Sequence, residues 1–367
     1  MQQAPKITKD DYFKALTGYR AMAAYMVFWF HANPFGAGTF LFSFFAGLRI
    51  GVPLFFVLSG FLIYNRYNTS EVSASFYKKY MVNRIARIYP VYFLMTTATL
   101  LFNYRAAAFS PHWLKIYFLN ITFLRGFFEK YINTLIVQGW SLTVEEVFYI
   151  LAPILFLIGM TSIRKYLGLF LAIFAFGWLL SFISVDVLRG YFWPDHQFMV
   201  FKTFFGNAFT FIVGIIVAIL HGRIREFKFK YVTWIGFAGL ILSLTLMAYF
   251  NGRASHDEGS GFSWNELIVY NFVSVPFIGA IIWGLVRERT WISRLFATEA
   301  FQVLGKSSYS FYLIHIGIIH ALIGKFISEN VFLLFILLIF AAMALWRFIE
   351  EPMNELIRSR AKKIWVT

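Results

Sequence analysis

Six residues of this chain combine types and spacings that could do chemistry: Arg20, His31, Arg84, Arg87, Glu145 and Glu146. His31 is the natural acid–base group, because an imidazole titrates near neutral pH and can take a proton from a hydroxyl. Arg20 stands eleven positions before it. Eleven positions advance a helix by about 1100°, some 20° past three full turns, so the two share a face roughly 16 Å apart along the axis. Arg84 and Arg87, in NRIARIYP, stand at i and i+3 and would be neighbours on a helix. Two guanidiniums pointing together repel unless an anion lies between them, and their planar forks favour phosphate or carboxylate. Glu145 and Glu146, in WSLTVEEVFY, are adjacent and therefore about 100° apart on a helix. One of them can orient a catalytic group while the other pairs elsewhere or faces water.

Other candidates lack the required spacing. His315 and His320 lie about 140° apart on a helix and form no metal pair, and no His-Glu-x-x-His occurs. Gly305-Lys306-Ser307 lacks the glycine of a phosphate loop, since Ala300 stands in its place. Cysteine is absent, which removes thiolate metal sites and an acyl–cysteine intermediate. No metal site and no bound cofactor are expected.

The elements that must position these groups are membrane spans. The chain is 59% hydrophobic and 14% charged, where a soluble domain has about 25% charged residues. Its apolar runs are too long for the alternating strands of a β-barrel. The expectation is an all-α, polytopic transmembrane bundle of about ten spans, at 15–32, 44–64, 85–102, 140–159, 166–185, 204–221, 231–250, 267–285, 309–327 and 331–350. It forms a single membrane domain over 1–367. The polar first 14 residues show no cleavage pattern, so the first span is expected to be retained.

With both termini cytoplasmic, the inner segments carry 21 Lys and Arg and the outer ones 7, as the positive-inside rule requires. The formal net charge of +15 is spread over these short loops with no basic stripe, so nucleic acid is not a partner. Trp113 to Leu124 is apolar but too short to cross, and reads as interfacial or re-entrant. Outer loops containing Trp193 and Trp264 suit either sugar rings or a membrane interface. Five bases fall within spans: Arg20, Arg49, Arg87, Lys325 and Arg347. Lys325 and Arg347 lie near helix ends, where they can snorkel. The span acids are Glu145, Glu146 and Glu350. Charges at bilayer depth are costly and point to function. On this topology the arginines form an inner set, and His31 with the glutamates an outer one.

Taken together, Arg20 and His31, GVPLFFVLSGFLIY at 51–64, RIARIYP at 84–90, WSLTVEEVFY at 140–149 and LGKSSYSFYLIH at 304–315 resemble the acyltransferase-3 family of integral membrane O-acyltransferases, the type that O-acetylates bacterial cell-envelope glycans. The resemblance runs from the first span to the ninth. Pro53 stands where the family often has an acid. The extracytoplasmic hydrolase-like domain frequent in the family is not expected here, so the chain would transfer directly to its acceptor or hand over to a separate extracytoplasmic partner. The resemblance implies a multi-pass protein of the bacterial cytoplasmic (inner) membrane. It implies an acyl-CoA donor, acetyl-CoA first, with Arg84 and Arg87 on its phosphates and Arg20 lining the path. His31 would be the catalytic base, oriented by Glu145 or Glu146, with an acyl-enzyme on His31 left open. The acceptor would be a carbohydrate or lipid-linked glycan. Nothing in the sequence specifies an oligomeric state.

The alternative from another class is a secondary transporter of a small anionic or sugar substrate, which also places charges inside spans. No inverted repeat and no matching pair of interrupted spans supports it.

Overall fold

The computed structural model describes residues 9–68, 72–224, 229–251 and 263–366, and among them every regular element is helical. Residues 1–8 and most of the 251–266 segment lie outside the described residues. The first helix, α1, is Lys9–His31. It is followed by α2 (Phe40–Tyr67), α3 (Ala74–Tyr104), the short α4 (Pro111–Ile121), α5 (Val137–Gly159), α6 (Ile163–Val187), α7 (His196–Arg223), α8 (Val232–Asn251) and α9 (Trp264–Arg287). Two short helices, α10 (Trp291–Phe296) and α11 (Glu299–Lys306), precede α12 (Ser308–Ile314), α13 (Ile318–Phe326) and α14 (Val331–Lys363).

Each of the ten expected spans falls on a helix, but they are not equivalent. Among the described residues eight helices are long and apolar enough to cross a membrane, and α12 with α13 forms a ninth candidate bent by 72°. The count therefore falls short of ten. The helix left over is α1, which has 23 residues but is diluted by Tyr19, Arg20, Tyr25 and His31. The bend in the ninth candidate sits at Gly317, whose φ of +105° an L side chain rarely adopts. Trp113 to Leu124 is indeed no span, because α4 has only 11 residues.

Two compact units divide the chain. The first comprises Met1–Asn65 and Phe209–Ser308. Within it α2 and α7 approach backbone to backbone: a side chain at Gly60 would strike the Phe211 carbonyl, and one at Gly214 the Val57 carbonyl. Such small-residue contacts let membrane helices gain dispersion energy where lipid offers no hydrophobic drive. Arg287 donates to the carbonyls of His221 and Ile224 at the end of α7. Its neighbour Glu288 accepts from the amides of Val232 and Thr233, at 2.8 and 2.9 Å, at the start of α8. Each charge complements the helix end it meets.

The second unit comprises Arg66–Ala208 and Tyr309–Thr367. Here α3 begins at an N-cap, where Ser73 Oγ accepts from Phe76 N at 3.1 Å. It packs against α4, α5 and α14. Tyr309 on α12 donates to the Ile88 carbonyl of α3 at 2.7 Å, and Ser310 donates to Glu350 of α14 at 2.7 Å. Glu350 is thus a buried tie between helices. Arg347 pairs with Glu351 at 2.8 Å on an exposed face.

Candidate active site

In the first unit His31 is the last residue of α1, with its residue exposed and its ring tilted against Phe30 at 4.4 Å. The chain beyond it is fixed by Asn33, whose side chain donates to the Phe42 carbonyl at 2.9 Å and accepts from Phe35 N at 3.2 Å. Arg20 is half-buried eleven residues earlier on the same helix. The imidazole therefore stands at a helix end, while the guanidinium lies about 16 Å away along the axis.

Arg49, a base left unassigned by the sequence, has a structural partner. Its Nη2 donates to Glu266 Oε1 at 2.7 Å, with side-chain exposures of 8% and 2%. Glu266 also closes a capping box, its Oε2 accepting from Ser263 N at 3.1 Å. The residue at the start of α9 thus meets a buried charge and an orphan amide at once.

The second unit holds Arg84, Arg87, Glu145 and Glu146. Arg84 is buried, 5% exposed. Its guanidinium lies 5.5 Å from the centroid of the Tyr67 ring and 5.7 Å from that of Tyr149. The Tyr67 and Tyr80 rings meet edge to face at 4.9 Å. Arg84, Tyr80 and Glu146 are within electrostatic reach of one another. Arg84, from the set expected inside, and Glu146, from the set expected outside, thus share one electrostatic neighbourhood. Arg84 lies ten residues into α3, about 15 Å from its start, and meets Glu146 in one field. Arg87, one turn on, is half-buried. Nε of Arg84 and the hydroxyls of Tyr67 and Tyr80 are buried without a hydrogen-bond partner. Buried polar groups are rarely left so, and all three can donate to an anion.

A second polar centre in this unit escaped sequence reasoning. Arg125, counted there as a loop base, is fully buried. It donates to Asn120 Oδ1 at 2.7 Å and to the carbonyls of Thr134 and Ile136. Asn120 in turn donates to the Ile116 carbonyl and to Thr134 Oγ1, both at 2.9 Å, and its own carbonyl accepts from Tyr92 at 3.0 Å. Burial pulls the Arg125 guanidinium below its ordinary range, opposed by the nearby Tyr92 and Tyr312. A side chain at Gly139 would strike this guanidinium. The one available signal was an Asn inside the apolar run WLKIYFLNITFL.

Next to this centre, the helix break at Gly317 is held by α5 and the turn before it. Gln138 Nε2 donates to the Leu313 carbonyl at 2.7 Å, replacing a bond that the broken helix cannot make. Ser141 and Tyr312 hydroxyls share a bond of 2.7 Å, and Tyr312 also donates to the Gln138 carbonyl at 3.1 Å. His315 Nδ1 lies 2.7 Å from the Tyr312 carbonyl. Tyr312 also lies within electrostatic reach of Glu145. Three motifs singled out in the sequence, around Arg84, Ser141 and Tyr312, thus converge in one unit.

Of the loop aromatics, Trp193 is buried with its backbone N bonded to Ser184 Oγ at 2.8 Å, while Trp264 is exposed. Among the described residues no three His, Asp or Glu side chains are grouped to hold a metal ion.

A family model described as an acyltransferase domain, that of the acyltransferase-3 family, matches residues 13–349. The chain is 25% identical over 383 residues to "Putative O-acetyltransferase SACOL0978" of Staphylococcus aureus (strain COL), covering 95% of this chain and 58% of that protein. It is 25% identical over 396 residues to "Putative peptidoglycan O-acetyltransferase YrhL" of Bacillus subtilis (strain 168), covering 98% and 58%. It is 28% identical over 286 residues to "Putative acetyltransferase ORF330" of Acidianus two-tailed virus, covering 75% and 76%. The chain thus spans little more than half the length of its staphylococcal and Bacillus relatives. No solved structure matches it.

Proposed function

This chain belongs to the acyltransferase-3 family, and from that membership we propose that it is a membrane O-acyltransferase. It moves an acyl group, acetyl by default, from cytoplasmic acyl-CoA to a hydroxyl of an extracytoplasmic carbohydrate. The acceptor class is supported by relatives named for O-acetyl transfer, one of them to peptidoglycan. The bacterial inner membrane is the setting this reading requires.

The observation that carries the donor assignment is Arg84: a buried guanidinium with an unsatisfied N–H, flanked by two unsatisfied tyrosine hydroxyls and followed by Arg87. This donor set fits phosphate oxygens. Arg20 is assigned to the donor's path. His31 is assigned as the base. It takes the proton of the acceptor hydroxyl as the oxygen bonds to the acyl carbon; the carbon–sulfur bond then breaks, and the coenzyme thiolate leaves and is protonated. Glu146 lies within electrostatic reach of Arg84, and Glu145, within reach of Tyr312, is assigned as the carboxylate for acid–base support.

The test is transfer by the purified full-length protein in proteoliposomes supplied with labelled acetyl-CoA and a peptidoglycan or O-antigen fragment. Label should appear on the glycan, with one free thiol released per acetyl group transferred. Donor binding without thioester cleavage under any acceptor would overturn the reading in favour of transport.

A further inference from the structure

The arginines around Arg84 extend beyond the pair read from the sequence. Arg66, at the end of α2, lies 5.6 Å from the centroid of the Tyr67 ring, the same ring that Arg84 approaches at 5.5 Å. Arg358, on α14, is within electrostatic reach of Arg66, Arg84, Arg87 and Tyr67. Its Nε is also buried without a hydrogen-bond partner. Four guanidiniums from three helices therefore share one field, with Glu146 within electrostatic reach of Arg84. Cation–π contacts with Tyr67 and Tyr149 soften the repulsion but cannot neutralise it, because an aromatic ring carries no net charge. Exposure is graded along the cluster: Arg66 is exposed, Arg87 and Arg358 are half-buried, and Arg84 is buried. The cluster thus runs from an exposed guanidinium to a buried one.

We infer that α14 completes this cluster into a cradle. Arg358, with Arg66, Arg84 and Arg87, binds the phosphates of the donor, and the hydroxyls of Tyr67 and Tyr80 donate to the same oxygens. The inference rests on the acyl-CoA reading above and extends it to residues that the RIARIYP motif does not contain. A coenzyme A molecule brings a diphosphate and a 3′-phosphate, enough negative charge to occupy several guanidinium forks at once. Pantetheine, which has none of these phosphates, would gain nothing from the cradle. An anionic lipid headgroup shares the phosphate chemistry and is separated from the coenzyme by the test.

The experiment measures coenzyme A and pantetheine binding by calorimetry, using the full-length protein in phosphatidylcholine nanodiscs. The wild-type protein should bind coenzyme A far more tightly than pantetheine. Arg358→Gln should weaken coenzyme A about tenfold or more, the loss of one charge-assisted contact, and leave pantetheine unchanged. Arg358→Lys, which keeps the charge and loses the fork, should fall between, and this serves if the glutamine variant does not fold. Lys362→Gln, an exposed base on the same helix, should bind as the wild type does. If the wild type binds no coenzyme A, the donor reading fails and the inference with it. If the wild type binds and both Arg358 variants bind equally well, the inference alone is overturned. It is also overturned if the variants lose only phosphatidylglycerol retained in native-lipid discs, which would make the cradle a headgroup clamp.

Discussion

Ser141 and Tyr312, 171 residues apart in sequence, place their hydroxyls 2.7 Å from each other. That single bond joins the start of α5 to the last turn of α12, just before the chain breaks at Gly317. Both hydroxyls also lean on the Gln138 carbonyl, at 3.1 Å each. The two residues act as one unit, so removing either should cost about 0.5–1.5 kcal/mol, and Ser141→Ala with Tyr312→Phe should cost less than the sum. A double-mutant cycle by chemical unfolding in detergent measures this. Additive losses would show that the hydroxyls do not cooperate.

Gln138 should matter more than either. Gln138→Ala removes the donor to the Leu313 carbonyl, leaving a buried acceptor unsatisfied at a cost of about 1–3 kcal/mol. Hydrogen exchange at residues 312–318 should rise selectively. A change confined to α5 would argue against this tie.

For the Arg49–Glu266 pair, the direction depends on which partner is left. Arg49→Met strands the Glu266 carboxylate in a buried site and should cost about 3–5 kcal/mol. Adding Glu266→Gln removes the stranded charge while keeping a group able to cap α9, so the double variant should recover much of the loss. The order of the three unfolding midpoints checks it; a double variant weaker than Arg49→Met would contradict the argument.

His31→Ala should abolish glycan acylation, or reduce it by about 10²–10⁴-fold, the usual worth of a positioned base. Coenzyme A affinity and membrane insertion should stay unchanged. Glycan acetylation by mass spectrometry, set beside calorimetry, separates these effects. Near-wild-type acetylation in cells would remove His31 from the mechanism.

The orientation is tested independently. Reporter fusions at Gly38 and Gly190 should read outside, and one at Lys165 inside, as the 21-to-7 distribution of bases demands. A cytoplasmic signal at Gly190 would reverse the assignment of the middle spans.

The helices were legible in the sequence because hydropathy is summed over each run, and every expected span lies on one. Arg84 was legible because its motif is short and local. The rest depends on meetings that local patterns do not encode. Glu266 finds Arg49 across 217 residues. Arg125 looked like an ordinary loop base because two of its acceptors are backbone carbonyls, which every residue type supplies equally. The motif around Glu146 gives its position along its own helix and not the helix it faces, so its meeting with Arg84 was not legible. The shortfall of α1 as an apolar span has the same root: the polar groups that suggest function in it also weaken its hydropathy.

Arg287 and Glu288 set a constraint in time as well as in space. They close the end of α7 and the start of α8, yet lie 55–66 positions downstream of the groups they close. A ribosome adding about 5–20 residues per second needs roughly 3–13 s to make that stretch. During that interval the end of α7 and the start of α8 lack these caps. Their turn is completed only when α9 has been made, so a nascent chain stopped before Arg287 should be held by the insertion machinery or degraded.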